Sequence, residues 1–336
     1  MLYVSPDVAP HFSKLKPGDA LTGTLARPVY HGYNQIFPAG SKVQLAVDRI
    51  ERLKKAPHAD DRPFAIRLFA PRHQSTPVFR SATVTRPDGT KLPLAATFLK
   101  FTRKMEIRQG SASKKAAPAQ PALILSADLA GAPPSGNAEP VTLEAGARAR
   151  VILMQDLSAS KSRRGDRFQA MLAEPLRQGT KVVLPAGSMF EGLITKRVPP
   201  RRLSRPGTLA LSFTGLTFRG VVPAPISASL SAVEVDQGSH MKLDPEAAIH
   251  GGSPGVTRML IETGVAAGLA KVTDDSLQLV LELLISTATD ASTAGTARIA
   301  AACVSGIFML SRHGRDVILP KYTQMEVTLN RTVSLR

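Results

Sequence analysis

Ile36-Phe-Pro-Ala-Gly-Ser41 is a signature that this chain repeats, as Val183-Leu-Pro-Ala-Gly-Ser188 and as Ile318-Leu-Pro-Lys-Tyr-Thr323. Proline fixes φ and a following glycine permits positive φ, so Pro-Ala-Gly predicts a tight turn. After each turn, apolar and polar residues alternate, which is typical of a strand with one buried and one solvated face. The signature therefore indicates a repeated strand unit and not a catalytic motif.

The alternation predicts which side chains of these strands point into a core. In the second copy a glycine occupies an inward position, and glycine inside a strand indicates a bend or a close backbone approach. The predicted inward residues are Val43, Leu45 and Val47; Phe190, Gly192 and Ile194; and Met325, Val327 and Leu329.

Longer alignments within the chain indicate an internal duplication. Gly18–Ser41 aligns without a gap with Gly165–Ser188, and Val84–Phe98 resembles Leu216–Leu230. The predicted fold is mainly β, with two related small antiparallel β-barrel or sandwich domains, the second carrying an α-helical insertion. The predicted limits are 13–108 for the first β domain, 109–140 for a Pro/Ala/Ser-rich linker and 141–336 for the second domain.

The insertion, about residues 254–311, is predicted from a change of hydrophobic period. Leu277, Val280, Leu281, Leu284 and Ile285 fall on one face of a helix, and further helices are predicted on either side. Two glycines one turn apart are candidate helix-packing residues, with a spacing that suits membrane helix pairs or a tight contact in a soluble bundle. They are Gly264 and Gly268.

One apolar segment of the insertion, Ile299–Leu310, is twelve residues long. A helix that spans a bilayer takes about 20 residues. The segment therefore predicts a helical cap, a hairpin that lies in the membrane interface, or an element that inserts only in an oligomer.

The formal net charge of +17 suits an anionic polymer or an anionic membrane surface, and it says nothing about the fold. The alternative is a set of solvated loops without a specific partner. No aromatic RNA-binding platform or zinc-finger spacing supports nucleic acid as the partner. The candidate patch for a polyanion or a lipid surface consists of Lys161, Arg163, Arg164, Lys196, Arg197, Arg201, Arg202 and Arg205.

The search for catalytic chemistry identifies no catalytic, cofactor-binding or metal-binding residue, and no cofactor is predicted. The seven histidines show no metal-ligand spacing, and the chain has neither a nucleophile elbow nor a phosphate-binding glycine loop. The single cysteine, Cys303, lies in an apolar run that favours a buried, inert thiol. A triad assembled from distant residues is defined only in space.

The segments Leu184-Pro-Ala-Gly-Ser188, Thr208–Phe213 and Gly314-Arg-Asp-Val-Ile-Leu-Pro320, in this order around a helical insertion, resemble the TrbI-like conjugal-transfer family. That family provides the barrel scaffold of the type IV secretion outer-membrane core. The resemblance covers about residues 141–336, and it extends to uncharacterised bacterial envelope proteins with a glycine-zipper insertion. It implies that Val256–Leu310 corresponds to the helical excursion that lines the outer-membrane opening in a ring of subunits.

These observations predict a non-enzymatic scaffold or surface-binding protein of the cell envelope, which self-associates or joins an envelope complex and contacts a membrane surface. Met1–Lys14 shows no recognisable secretory leader, so a periplasmic or outer-membrane location requires a leader missing from this chain, and the alternative is the cytoplasm. The alternative functions are a cytoplasmic nucleic-acid or polyanion binder and a hydrolase with a site on the barrel loops.

Overall fold

The computed structural model describes residues 1–12, 14–54, 73–110, 120–127, 141–178, 181–201, 205–217, 224–236, 239–252 and 314–335. Every regular element within these ranges is a β-strand, so the described part of the chain is mainly β, as predicted. The predicted helical insertion at 254–311, with Gly264 and Gly268, lies outside the described residues.

The strands of the first half form one antiparallel layer in the order β7-β6-β5-β2-β1-β9-β8. Only Ala95 separates β7 from β8, so the layer curves back on itself and becomes barrel-like. The strands are β1 (Leu2–Pro6), β2 (Ala20–Leu25), β3 (Val29–His31), β4 (Asn34–Phe37), β5 (Lys42–Lys54), β6 (His73–Thr85), β7 (Lys91–Leu94), β8 (Ala96–Arg108) and β9 (Gln120–Ala127).

The second half continues the numbering with β10 (Val141–Leu143), β11 (Arg148–Leu153), β12 (Leu157–Ser158), β13 (Arg167–Leu172), β14 (Leu176–Gln178), β15 (Lys181–Leu184), β16 (Met189–Val198), β17 (Thr208–Thr217), β18 (Ala224–Asp236), β19 (Lys242–Leu243), β20 (Ala248–His250), β21 (Ile318–Leu319), β22 (Gln324–Leu329) and β23 (Val333–Leu335). Six of these strands close a barrel in the order β11-β13-β16-β17-β18-β22, because β22 pairs with β11 again. All six pairings are antiparallel.

The register of pairing shows that the two barrels are copies of one unit. Val4 pairs with Leu25 in the first barrel, and Val151 pairs with Leu172 in the second. The residues of the second pair lie as many positions after those of the first pair as Gly165 lies after Gly18. The paired residues of the β2–β5 and β13–β16 ladders show the same spacing. The prediction of two related barrel-like sheets is confirmed.

All three signature turns have the same geometry. The residue before the Ser or Thr adopts positive φ, and this residue is Tyr322, at φ 70°, in the third turn. In each turn, the N–H of this positive-φ residue donates to a carbonyl of an earlier strand. The hydroxyl of the Ser or Thr donates to the carbonyl of the proline in the turn. The strand contacts are Gly40 to Leu25 at 2.7 Å, Gly187 to Leu172 at 2.8 Å and Tyr322 to Leu153 at 2.7 Å.

Each barrel has its own apolar core. In the second barrel, the rings of Phe168 and Phe213 meet edge to face at 5.2 Å, and both side chains are fully buried. Gly192 lies against this pair, since a Cβ at that position would overlap the Phe168 ring and lie 2.7 Å from the Ser212 carbonyl oxygen. The pairing of β16 also shifts register between Glu191 and Gly192. Of the two predicted alternatives, a bend or a close backbone approach, the structure shows the close approach.

Two strands of the first barrel lie outside the predicted limits 13–108. β1 begins at Leu2, and β9 lies within the stretch predicted as the linker 109–140; the two strands pair with each other between β2 and β8. β1 is a short segment, and β9 is flanked by Ala- and Pro-rich sequence, so neither carries a long alternating pattern. The division into 13–108, 109–140 and 141–336 stays a prediction. It differs from the structure in that it leaves β1 and β9 out of the first domain.

The two barrels are joined by a β-ladder between β8 and β18, which makes one continuous sheet of fifteen strands. Beside it, the Arg27 guanidinium forms an ion pair with Glu234, whose side chain is 9% exposed. The guanidinium also lies over the Tyr3 ring, 5.0 Å from its centroid. Burial, and then the charge of Glu234, raises the pKa of Tyr3 above its usual range. The junction therefore consists of paired backbone and a partly buried charge cluster.

Gly192→Ala is expected to destabilise the protein by about 1–3 kcal/mol, because the added methyl overlaps the Phe168 ring in a close-packed core. Thermal and urea unfolding measure the loss. Gly215→Ala is the matched control, since its Cβ would meet only Glu191, at 3.3 Å. Equal stability of the two variants would contradict the close packing at Gly192.

Arg27→Met and Glu234→Met are each expected to lower the free energy of unfolding by about 1.5–3 kcal/mol, because each leaves the partner's charge shielded from water. The double variant is expected to lose less than the sum of the two single losses. Urea unfolding of the four proteins measures this coupling. Additive losses would show that the ion pair does not hold the junction.

Candidate functional site

The second barrel has one end at which the chain leaves the described residues after Gly252 and re-enters them at Gly314. We call Gly251–Gly252 and Gly314–Asp316 the stem. The Gly251 N–H donates to the Gly207 carbonyl at 2.9 Å, and the Gly207 N–H donates to the Arg315 carbonyl at 2.9 Å. A Cβ at Gly314 would overlap the Arg205 carbonyl oxygen, so the stem needs glycine to pack on the β16–β17 loop.

Two residues of the predicted basic patch lie directly on the stem. The Gly314 N–H donates to the Arg201 carbonyl at 2.9 Å, and the Arg201 N–H donates to the Arg205 carbonyl at 3.0 Å. Both arginine residues are exposed. Arg202, between them, lies outside the described residues.

Arg197 brings a second part of the patch to the same place. Its Nε donates to the Ala159 carbonyl at 2.7 Å and its Nη2 donates to the Ser160 carbonyl at 2.8 Å. The Ala159 N–H in turn donates to the Val317 carbonyl, next to the stem, at 3.0 Å. Arg197 therefore fixes the loop that precedes β13, because its guanidinium group donates to two carbonyls of that loop.

The loop before β13 is itself ordered by a capping contact. The Arg163 N–H donates to Asp166 Oδ2 at 2.7 Å, and the Gly165 N–H donates to the Ile194 carbonyl of β16 at 2.8 Å. The backbone of this loop is consequently held against β16 two residues before Lys196.

We call the exposed basic residues around the stem the basic collar. Within the part of the chain that the structure describes, none of them forms a salt bridge with a carboxylate. Six members of the predicted patch belong to the collar, namely Lys161, Arg163, Arg164, Lys196, Arg201 and Arg205.

The stem itself contains a partly buried carboxylate, that of Asp316. Asp316 Oδ2 accepts a hydrogen bond from the Ser158 hydroxyl at 2.7 Å, and Oδ1 has no hydrogen-bond partner among the residues that the structure describes. Sequence reasoning noted Asp316 only as part of a strand signature, because Ser158 is distant along the chain and no local pattern connects the two.

Asp244, His250 and Thr208 form a hydrogen-bonded chain next to the stem, which sequence reasoning also missed. Asp244 Oδ2 lies 2.9 Å from His250 Nε2, and His250 Nδ1 lies 3.1 Å from Thr208 Oγ1. The order acid, imidazole, hydroxyl is that of a hydrolase triad. However, Thr208 is only 7% exposed, which shields its hydroxyl from a substrate. The chain of contacts therefore fixes β20 against β17 where the stem begins.

The electrostatics of this contact are visible at Asp244. Burial raises the pKa of Asp244, but the hydrogen bonds from His250 and from the Ala248 N–H outweigh it, so the pKa lies below its usual range. The Ala248 bond to Asp244 Oδ1 measures 2.7 Å. The carboxylate form is therefore the one that stabilises the base of the stem.

Among the described residues, no group of three His, Cys, Asp or Glu side chains is arranged to hold a metal ion. The same residues include no helix with the length and hydrophobicity that a bilayer crossing requires.

Asp244→Asn is expected to destabilise the folded protein at neutral pH, because it removes the charge while keeping an acceptor for the Ala248 N–H. Since the folded pKa is depressed, the wild-type advantage is present above about pH 4, the unfolded value, and is lost as the pH falls through the folded pKa. Urea unfolding of both proteins from neutral to acidic pH measures the difference. A difference that does not shrink in acid would contradict the assignment.

No protein-family model and no curated protein matches the sequence. Among solved structures, the chain is similar to ComB10 of the Com type IV secretion system of Helicobacter pylori. The similarity covers 58% of this chain and 90% of that chain, with 13% sequence identity and a TM-score of 0.29. The TrbI-like resemblance stays a prediction from the sequence.

Proposed function

We propose that this chain is a non-enzymatic scaffold of the cell envelope and that its second barrel binds an anionic membrane surface through the basic collar. The observation that carries the proposal is the arrangement of the collar. Exposed basic residues, which have no carboxylate partner within the described ranges, lie on the loops next to the point at which the chain enters residues 253–313. Unneutralised cations gathered on one surface attract anionic lipids and lose that attraction with salt.

The sequence of the insertion favours lipid over nucleic acid as the partner. It contains the apolar stretch Ile299–Leu310, and basic residues next to an apolar segment are typical of proteins that bind at the membrane interface. A nucleic-acid surface needs the cations but gains nothing from the apolar stretch. A protein partner, by self-association or within an envelope complex, stays a prediction from the sequence.

The barrels supply the rigid part of the proposed scaffold. The collar is attached to the second barrel, whose six strands form a closed sheet, and Arg197 holds the loop before β13 to β16. Because the loop backbone is fixed in this way, the points from which the basic side chains extend keep their positions when a surface approaches. This preorganisation reduces the entropy lost on binding.

The proposal predicts binding to phosphatidylcholine vesicles that contain about one-third phosphatidylglycerol, and no binding to phosphatidylcholine alone. Arg163→Gln, Arg164→Gln and Arg201→Gln combined are expected to lower the partition coefficient roughly a hundredfold, since each cation contributes about 1 kcal/mol near an anionic surface. Co-sedimentation at low and high salt measures the effect.

The matched control changes three exposed basic residues of the first barrel, Lys42→Gln, Arg52→Gln and Lys91→Gln, which is expected to leave vesicle binding nearly unchanged. An equal loss in both triple variants would show that only net charge matters. Binding to duplex DNA without binding to anionic vesicles would overturn the proposal in favour of a nucleic-acid partner.

A further inference from the structure

We propose that Arg201 and Arg205 together bind a phosphate monoester group, such as the headgroup of phosphatidic acid. The two residues lie directly opposite each other in an isolated antiparallel β-bridge, on the loop between β16 and β17. We call them the arginine pair. Both belong to the basic collar, so the inference rests on the proposed function and names the anionic group that the collar would recognise.

The bridge brings two arginine side chains to neighbouring points on one face of the loop. The Arg201 N–H donates to the Arg205 carbonyl at 3.0 Å, and residues opposite each other in such a bridge have Cβ atoms about 5 Å apart on the same face. Both residues are exposed, and within the described ranges neither forms a salt bridge with a carboxylate. Two guanidinium groups can therefore reach the same small ligand.

The backbone that carries the arginine pair is held in place. The Gly314 N–H donates to the Arg201 carbonyl at 2.9 Å, and a Cβ at Gly314 would overlap the Arg205 carbonyl oxygen. Pro200 and Pro206 flank the pair, and the proline ring fixes φ at both positions. The points from which the two side chains extend are therefore preorganised, which reduces the entropy lost when a ligand binds.

The like charges of the arginine pair point to an anionic ligand. Two charges of the same sign at directly opposite positions destabilise a strand pair. The contacts that hold this loop use only backbone N–H and carbonyl groups of Arg201 and Arg205, so they do not require arginine at either position. An anion between the two guanidinium groups replaces the repulsion by charge-assisted hydrogen bonds.

The number of acceptor oxygens selects among anions. Each guanidinium group is a planar fork that donates two parallel hydrogen bonds to one anion. One fork occupies both oxygens of a carboxylate, or both unesterified oxygens of a phosphodiester. A phosphate monoester has three such oxygens and a charge of about −1.5 to −2 at pH 7. It can therefore engage both forks and neutralise both charges of the arginine pair.

Vesicle co-sedimentation of the full chain tests this selection. Phosphatidylcholine vesicles that contain phosphatidic acid, a monoester, are compared with vesicles that contain phosphatidylglycerol, a diester. The two compositions are adjusted to equal surface charge by electrophoretic mobility. The partition coefficient is expected to be roughly fivefold larger for phosphatidic acid, because only that headgroup engages both guanidinium forks.

Arg201→Lys combined with Arg205→Lys keeps both charges and removes both forks. This double variant is expected to bind phosphatidylglycerol vesicles nearly as the wild type does and to lose the preference for phosphatidic acid. The matched control is Arg163→Lys combined with Arg164→Lys, which changes two collar arginines of another loop. The control is expected to keep the preference.

Glycerol 3-phosphate distinguishes a free phosphate monoester from a lipid headgroup. At constant ionic strength it is expected to bind the wild type saturably, as followed by phosphorus NMR, and to compete with phosphatidic acid vesicles. The lysine variant of the arginine pair is expected to lose this binding. If glycerol 3-phosphate binds in this way and neither anionic vesicle does, the phosphate site is supported and the proposed membrane role is not.

The inference is overturned if vesicles of the two compositions bind equally well, a result that leaves the proposed function standing. It is also overturned if the lysine variant of the arginine pair keeps the wild-type preference, or if the control variant loses the preference to the same extent. Absence of binding to both vesicle types and to glycerol 3-phosphate would overturn the inference together with the proposed function.

Discussion

The proline carbonyl of the signature turn is the group on which both barrels depend. In each of the three turns it accepts the hydroxyl of the Ser or Thr that follows, at 2.8, 2.8 and 2.6 Å. These hydroxyl residues are buried, so the contact satisfies a polar group inside the protein while it fixes the start of β5, β16 and β22. Because a slip of one residue moves every side chain to the opposite face of a strand, this contact also determines which residues form the core.

The two copies close their barrels by different means. The second closes with a ladder between β17 and β18, whereas the corresponding ladder of the first, between β6 and β7, ends at Ala82 and Leu94. Beyond that point Phe79 packs on Phe98 at 5.8 Å, and Phe12 packs on Phe98 at 5.7 Å. In the first barrel, aromatic packing therefore replaces the backbone hydrogen bonds that close the second barrel. The two copies keep the same fold despite this difference.

The sequence contained enough information to predict the duplicated β unit, the signature turns and the close packing at Gly192, because each is encoded within a few neighbouring residues. It could not predict that β1 and β9 complete the first barrel, since their pairing joins Leu2 to Leu125, which are far apart along the chain, although Ala122–Leu125 is the one apolar stretch of the predicted linker. The site follows the same rule. The basic residues were visible in the sequence, but the role of Arg197 depends on two carbonyls nearly forty positions away, and the contact between Asp244 and His250 exists only in the folded hairpin.

Comparison of the copies shows how the second barrel differs from the first at the end that carries the collar. Lys196 corresponds by the duplication offset to Arg49, which forms an ion pair with Glu51 at 2.8 Å, whereas Lys196 has no such partner among the described residues. The connection also differs, because β8 reaches β9 between Arg108 and Gln120, while β18 reaches β22 only between Asp236 and Gln324. The same copy thus carries both the long insertion and a lysine at the position of the ion-paired Arg49. A membrane-binding surface that uses both the basic residues and the insertion requires them at the same end of one barrel. Charges that serve only to keep the protein in solution would not require this arrangement.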